Sequence, residues 1–303
     1  MRIEAYRSSH HSRRLLRRPR GGAAARGCYA RRMSVESIAR SLAFINWVVL
    51  VALAVGSLAA LLLLTHRAES TRGYRGFTVF AAGGWAFLAW LADGALPAPD
   101  ASAPIQAAGA ELDALRRLLL VLVASLATLW TLRIARGSDG RIVGAISVAV
   151  GIGVLLVGAF GWAKTPMIAF ALASQLVILT CVTGCAFAAM VLAHWYLVTP
   201  KLPESPLLLL SRALGVGVAV QLALFLVWQL MGFGGFGAGW DFFAALRLLI
   251  GLIFPALLTY AGWRTARARS MESATGLLYI DLGAVITGTI LASGLFFGAG
   301  ILV

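Results

Sequence analysis

The amino-acid sequence predicts an all-α fold, a polytopic membrane helical bundle of about eight transmembrane helices, and three observations carry that expectation. Hydrophobic residues fill 60% of the 303 positions and charged residues only 13%, too few polar side chains to cover one water-soluble surface. Eight segments stay apolar over the roughly 20 residues needed to cross about 30 Å of hydrocarbon. The basic residues fall largely between those segments, where flanking charge orients helices in a bilayer.

The segments run from about 41 to 64, 76 to 96, 117 to 135, 142 to 163, 167 to 193, 206 to 231, 241 to 263 and 274 to 300. Thr165-Pro166 and Ser205-Pro206 each place a capping hydroxyl before a proline at the first helical position, and Asp241 is expected to cap the seventh helix. Pro255 lies inside that helix, where it removes one backbone hydrogen bond and is expected to kink it.

Residues 1–32 form a separate region, and 33–303 form the eight-helix transmembrane domain. The first 32 residues hold ten of the 26 basic residues, one acid and no apolar run, so the tail is expected to be disordered. The next apolar stretch is too long for a secretory signal. Two readings of the tail remain: an Arg-rich transit peptide, or translation that begins at Met33, with Ser34 and Glu36 opening the first helix. The net charge of +14 points to no nucleic-acid partner, because the cations form a tail and loop flanks and not one basic face. The expected partners are the lipid bilayer and other membrane subunits.

The first, third, fifth and seventh loops carry Arg67, Arg72, Arg75, Arg133, Arg136, Arg141, Lys201, Arg212, Arg264, Arg267 and Arg269. The alternate loops carry Arg116, Arg117, Lys164 and Arg247. This bias places the odd loops in the cytoplasm and both termini outside, in a cell membrane read as the bacterial inner membrane. The stretch Trp130-Thr131-Leu132-Arg133-Ile134-Ala135-Arg136 is echoed by Trp263-Arg264-Thr265-Ala266-Arg267-Ala268-Arg269. The echo fits two parallel repeats of four helices.

Few side chains here could carry chemistry. His66 and His194 lie toward the same membrane face, so a bis-histidine haem b is one reading; the other makes His194-Trp195-Tyr196 an interfacial anchor. Cys181 and Cys185 are one turn apart beside Thr180, Gly184 and Ala188, a stripe expected at a close helix contact and not at a metal site. The same expectation covers Gly144, Ser147, Gly151 and Gly158, and also Gly283 with Thr287 and Gly294 with Gly298. The three cysteines, Cys28 included, show no metal or haem-attachment spacing. The glycine-aromatic run from Met231 to Trp240 either dips into headgroups or shapes a quinone or lipid pocket. Pro200, Pro203 and Pro206 predict a stiff inner loop.

Ionisable groups inside a membrane are costly and mark function by default. Asp93, Arg212, Arg247 and Asp281 are the candidates, expected to form two cross-helix ion pairs, Arg212 with Asp281 and Arg247 with Asp93, or else to snorkel to the interfaces. Gln221 is the most central polar residue, supported by Asn46, Gln175 and Gln229. No nucleophile and base, phosphate loop or two-histidine-carboxylate set stands in the sequence, which argues against a self-contained enzyme. Three readings follow. The first is a non-catalytic subunit or anchor of an electron-transfer or quinone-handling membrane complex. The second is a small-solute transporter with its site near Gln221, and the third a b-type haem protein using His66 and His194.

Overall fold

The structure, a computed structural model, describes residues 35–96, 103–199 and 201–303. The expectations for the N-terminal tail, Cys28, Ser34 and Pro200 fall outside those residues. The described chain is helical throughout: α1 (Val35–Arg67), α2 (Arg72–Asp93), α3 (Ala110–Ala135), α4 (Arg141–Trp162), α5 (Pro166–Val198), α6 (Ser205–Leu230), α7 (Asp241–Leu248), a π-helical turn (Leu249–Ile253), α8 (Phe254–Arg267) and α9 (Met271–Ala299). With α7, the π turn and α8 counted as one span, eight helices are long and apolar enough to cross a membrane. This is a multi-pass helical membrane bundle.

Two spans are central. α1 and α5 are each 72% buried over their apolar stretch, against 28–44% for the other six, as expected of helices that are apolar all round. They cross at Gly56 and Gly184, where a Cβ on Gly56 would lie 1.9 Å from the Thr180 carbonyl oxygen and one on Gly184 2.0 Å from the Gly56 carbonyl carbon. The backbones touch there, as membrane helices do where glycine removes the side chain. Thr180 and Gly184 meet Gly56 there; Cys185 and Ala188 are also buried, the Cys185 thiol donating to the Leu210 carbonyl of α6 at 3.3 Å, whereas Cys181 is exposed.

The packing repeats. α1 packs against α2, α4, α5 and α9, and α5 packs against α6, α9, α1 and α4. Likewise α2 meets α3 and α3 meets α4, while α6 meets α8 and α8 meets α9. The contacts among α1–α4 are thus repeated among α5–α9 within one compact unit, Val35–Val303, in keeping with the parallel plan that the Trp130 and Trp263 stretches echo. The step along the chain from Gly56 to Gly184 also carries Trp47 to Gln175 and His66 to His194. In the same way Arg116 is the seventh residue of α3 and Arg247 the seventh of α7.

Short polar contacts fix the units. Tyr74 donates to the Ala188 carbonyl at 3.0 Å, Thr183 and Thr289 share a hydrogen bond of 2.9 Å, and the Trp130 indole donates to the Asp139 carbonyl at 2.9 Å. On the odd-loop face Arg75 pairs with Asp139 and Arg269 with Glu204, each at 2.6 Å. The Arg75 guanidinium holds the Asp139 carboxyl below the usual carboxylate range.

Several local expectations change. Thr165 caps α5, accepting from the Ile168 N–H, but Ser205 is already helical, with Glu204 at the cap position. Asp241 likewise begins its helix and turns its carboxylate back to the Gly237 N–H at 2.8 Å. The seventh helix meets Pro255 with a π turn. Pro255 has no N–H to give the Gly251 carbonyl four residues back, and Arg247 Nη1 donates to that oxygen instead at 2.7 Å. On α4 the stripe of Gly144, Ser147, Gly151 and Gly158 is buried as expected, but on α9 Gly283, Thr287 and Gly298 are exposed. Gly288, on a different face, makes the close crossing, its Cα near that of Gly251.

Candidate functional site

Neither expected ion pair is present; the charges are arranged otherwise. α3 begins at Ala110, seven residues before the apolar run does, so Arg116 lies two turns inside the helix and not in a loop. It is buried and meets Asp93: Nε to Oδ2 is 2.6 Å and Nη2 to Oδ1 is 3.3 Å. Asp113 adds a second carboxylate at 2.8 Å, and the guanidinium lies over Trp162 at 4.9 Å and Trp47 at 5.9 Å. Asp93 therefore pairs with Arg116 and not with Arg247, because α2 packs on α3 while the seventh span packs on α6 and α9. Arg212 is exposed on α6 and reaches no carboxylate within 4 Å among the described residues.

Asp281 is fully buried and has a different partner from the one expected. Thr259 donates to its Oδ2 at 2.6 Å, while Oδ1 is buried with no hydrogen bond. Because α9 starts at Met271, Asp281 is ten residues in, about 15 Å, or half the hydrocarbon thickness. The apolar run begins only at about Ala274, three residues after the helix does, so the acid lies deeper than the run implies.

His66 and His194 sit at the ends of α1 and α5, and both rings are exposed. The His66 ring is bonded to the Leu62 carbonyl at 2.8 Å, and His194 stands 3.4 Å from the Tyr279 hydroxyl. Rings on the outside of the bundle do not fit a haem enclosed between helices. Next to His194, Trp195 packs on Gly73, and the Tyr196 hydroxyl donates to the Pro203 carbonyl.

Gln221 marks the site. It lines a cavity with Gln175 and Leu179 of α5, Trp228 of α6, Arg247 of α7 and Val303, with about 10 Å³ of space for the centre of a water. That suffices for one particle of water size. Gln221 is 4% exposed and Arg247 2%. Among the described residues the Gln221 amide has no hydrogen-bond partner, and Arg247 has only the Gly251 carbonyl, with its Nε buried and unpartnered. The Trp228 indole N–H also lacks an acceptor. Gln175 Oε1 accepts from the Val303 N–H at 3.2 Å, which leaves its NH2 group free. The slot for the guanidinium is made by glycines: a Cβ on Gly251 or Gly288 would come within 2.7 Å and 2.6 Å of Nη1.

The glycine-aromatic loop packs on α6 beside the site. Gln229 clamps Phe236 through two hydrogen bonds of 3.0 and 3.2 Å, and Phe233 and Phe236 pack on Trp228 and Phe225. Gly300, at φ +70°, turns the chain after α9 so that Ile301, Leu302 and Val303 are buried beneath this loop. The Leu302 N–H donates to the Phe233 carbonyl at 3.0 Å. The structure thus brings Gln221 and Arg247 together, which the sequence reading treated separately. The repeat was the available signal, since it makes Arg247 the counterpart of Arg116. No family model, curated protein or solved structure matches this chain, so the geometry alone carries the functional reading.

Proposed function

We propose that the protein is a membrane transporter for a small solute, with its binding site in the cavity around Gln221 and Arg247. One observation carries this reading: Gln221 and Arg247, each more than nine-tenths buried and each with hydrogen-bonding groups that have no protein partner among the described residues, line the same cavity. Such groups cost free energy in a membrane interior unless something else engages them. The repeated four-helix packing and the interrupted seventh span beside the site are in keeping with transporter architecture. The subunit and haem readings have no comparable feature behind them.

The test is uptake of radiolabelled small solutes, inorganic anions and cations among them, into vesicles holding the purified protein. Gln221→Leu keeps the side-chain bulk and removes the amide. Uptake of the transported solute is expected to fall about 10-fold or more, the equivalent of a lost hydrogen bond of about 1.5 kcal/mol. Unchanged uptake in this variant would move the site elsewhere.

We also infer, from the basic bias of the odd loops, that those loops face the cytoplasm. In a variant whose native cysteines are removed, a single cysteine at Ser138 is expected to react with a membrane-impermeant maleimide only after the cells are permeabilised. Labelling of intact cells would invert the orientation.

A further inference from the structure

We propose that the site takes a small monovalent anion, a halide such as chloride, held by Arg247, Gln221, Gln175 and Trp228. The inference rests on the same cavity as the transport reading and specifies the chemistry of its ligand.

Charge is the first argument. The two repeats hold matched arginines, and only one has counter-ions. Arg116 has Asp93 at 2.6 Å and Asp113 at 2.8 Å. In the second repeat Ala244 stands three residues before Arg247, where Asp113 stands three before Arg116, and α6 contains no acidic residue to match Asp93. Arg247 has no carboxylate within 4 Å among the described residues. A guanidinium does not give up its proton in a protein, so the second repeat keeps a fixed positive charge without the two side-chain carboxylates that flank Arg116. Asp281, the nearest acid on α9, is seven residues from Gly288 and therefore about 10 Å along the helix.

Hydrogen bonding gives the same answer independently. Two amide NH2 groups without partners among the described residues, those of Gln175 and Gln221, belong to side chains that line the cavity, and Arg247 Nε and the Trp228 indole N–H are buried without acceptors in two further lining residues. An anion needs what these N–H groups and the guanidinium charge offer. The first repeat also differs at the matched α1 position, where Trp47 packs against Arg116; its counterpart Gln175 supplies a donor in place of an indole ring. Size narrows the class to a single small ion, because the cavity has about 10 Å³ of space for the centre of a water.

The experiment uses the full-length protein in detergent and follows thermal unfolding while sodium chloride or sodium bromide replaces sodium gluconate at constant ionic strength. A saturable rise in unfolding temperature is expected for wild type. Its half-saturating concentration should increase about 10-fold in Gln221→Leu and in Trp228→Phe, and the rise should vanish in Arg247→Gln. Should Arg247→Gln fail to fold, because it also loses the bond to Gly251, the other two variants still decide. An equal, non-saturating rise in every variant would show a general salt effect and overturn the proposal. An equal saturable effect of sulfate would overturn the size argument. Chloride efflux from vesicles is measured separately: binding without flux would keep the anion site and remove the transport reading. Flux of another solute with no halide binding would do the reverse.

Discussion

Replacing Asp93 by alanine is expected to destabilise the protein by about 3–5 kcal/mol, because it strands Arg116 as a buried charge. Arg116 is 2% exposed and lies between Trp47 and Trp162, so it cannot swing out to water without unpacking α1 and α4. Asp113 cannot take over in full, since its carboxylate is 45% exposed and screened. The double variant Asp93→Leu, Arg116→Met removes both charges and retains bulk. It is expected to recover most of the loss, since apolar replacement of a buried pair is often neutral. Thermal unfolding in detergent measures both. A double variant as unstable as the sum of its singles would show that the two residues act independently.

The second large effect lies at the axis of the bundle. Gly56→Leu or Gly184→Leu must push α1 and α5 apart, because even the first added carbon would meet backbone at about 2 Å. The obstructing atoms are a carbonyl and a Cα, which cannot rotate away. Both central helices carry contacts with half the bundle, so the expected loss is about 3 kcal/mol or more, above the usual range for overpacking. Gly276→Ala and Gly283→Ala on α9 are the controls: a Cβ there meets nothing within 4 Å. They are expected to be neutral or to gain up to about 1 kcal/mol from helix propensity. The yield of monodisperse protein and its unfolding temperature separate the two classes. A tolerated leucine at Gly56 would mean the helices do not cross there.

These effects show where the sequence was readable. The eight spans were legible because hydrocarbon thickness sets a minimum apolar run, and each span lies close to its expected place. Charge depth was less so: an apolar run marks where lipid begins and not where the helix begins. α3 extends seven residues and α9 three residues upstream of their apolar runs, which carried Arg116 and Asp281 deeper than the pattern implied. Gln221 was legible from its central position alone. The cavity was not, because it needs α5, α6, the seventh span and the C-terminal residues together. The glycine pairs show the same limit. Gly184 sat in a recognisable small-residue stripe, yet on α9 spacing singled out Gly283 and Thr287, while the crossing uses Gly288.

A buried arginine with no carboxylate within 4 Å among the described residues holds, on this proposal, an exogenous anion beside Gln221. An experimental structure of the protein in sodium bromide, with anomalous scattering recorded at the bromine edge, tests this most directly. A single peak is expected within hydrogen-bonding reach of Arg247, Gln221 and the Trp228 indole. No bromide peak, with Arg247 instead bridged to a carboxylate of the chain or the cavity filled by a protein side chain, would contradict the account.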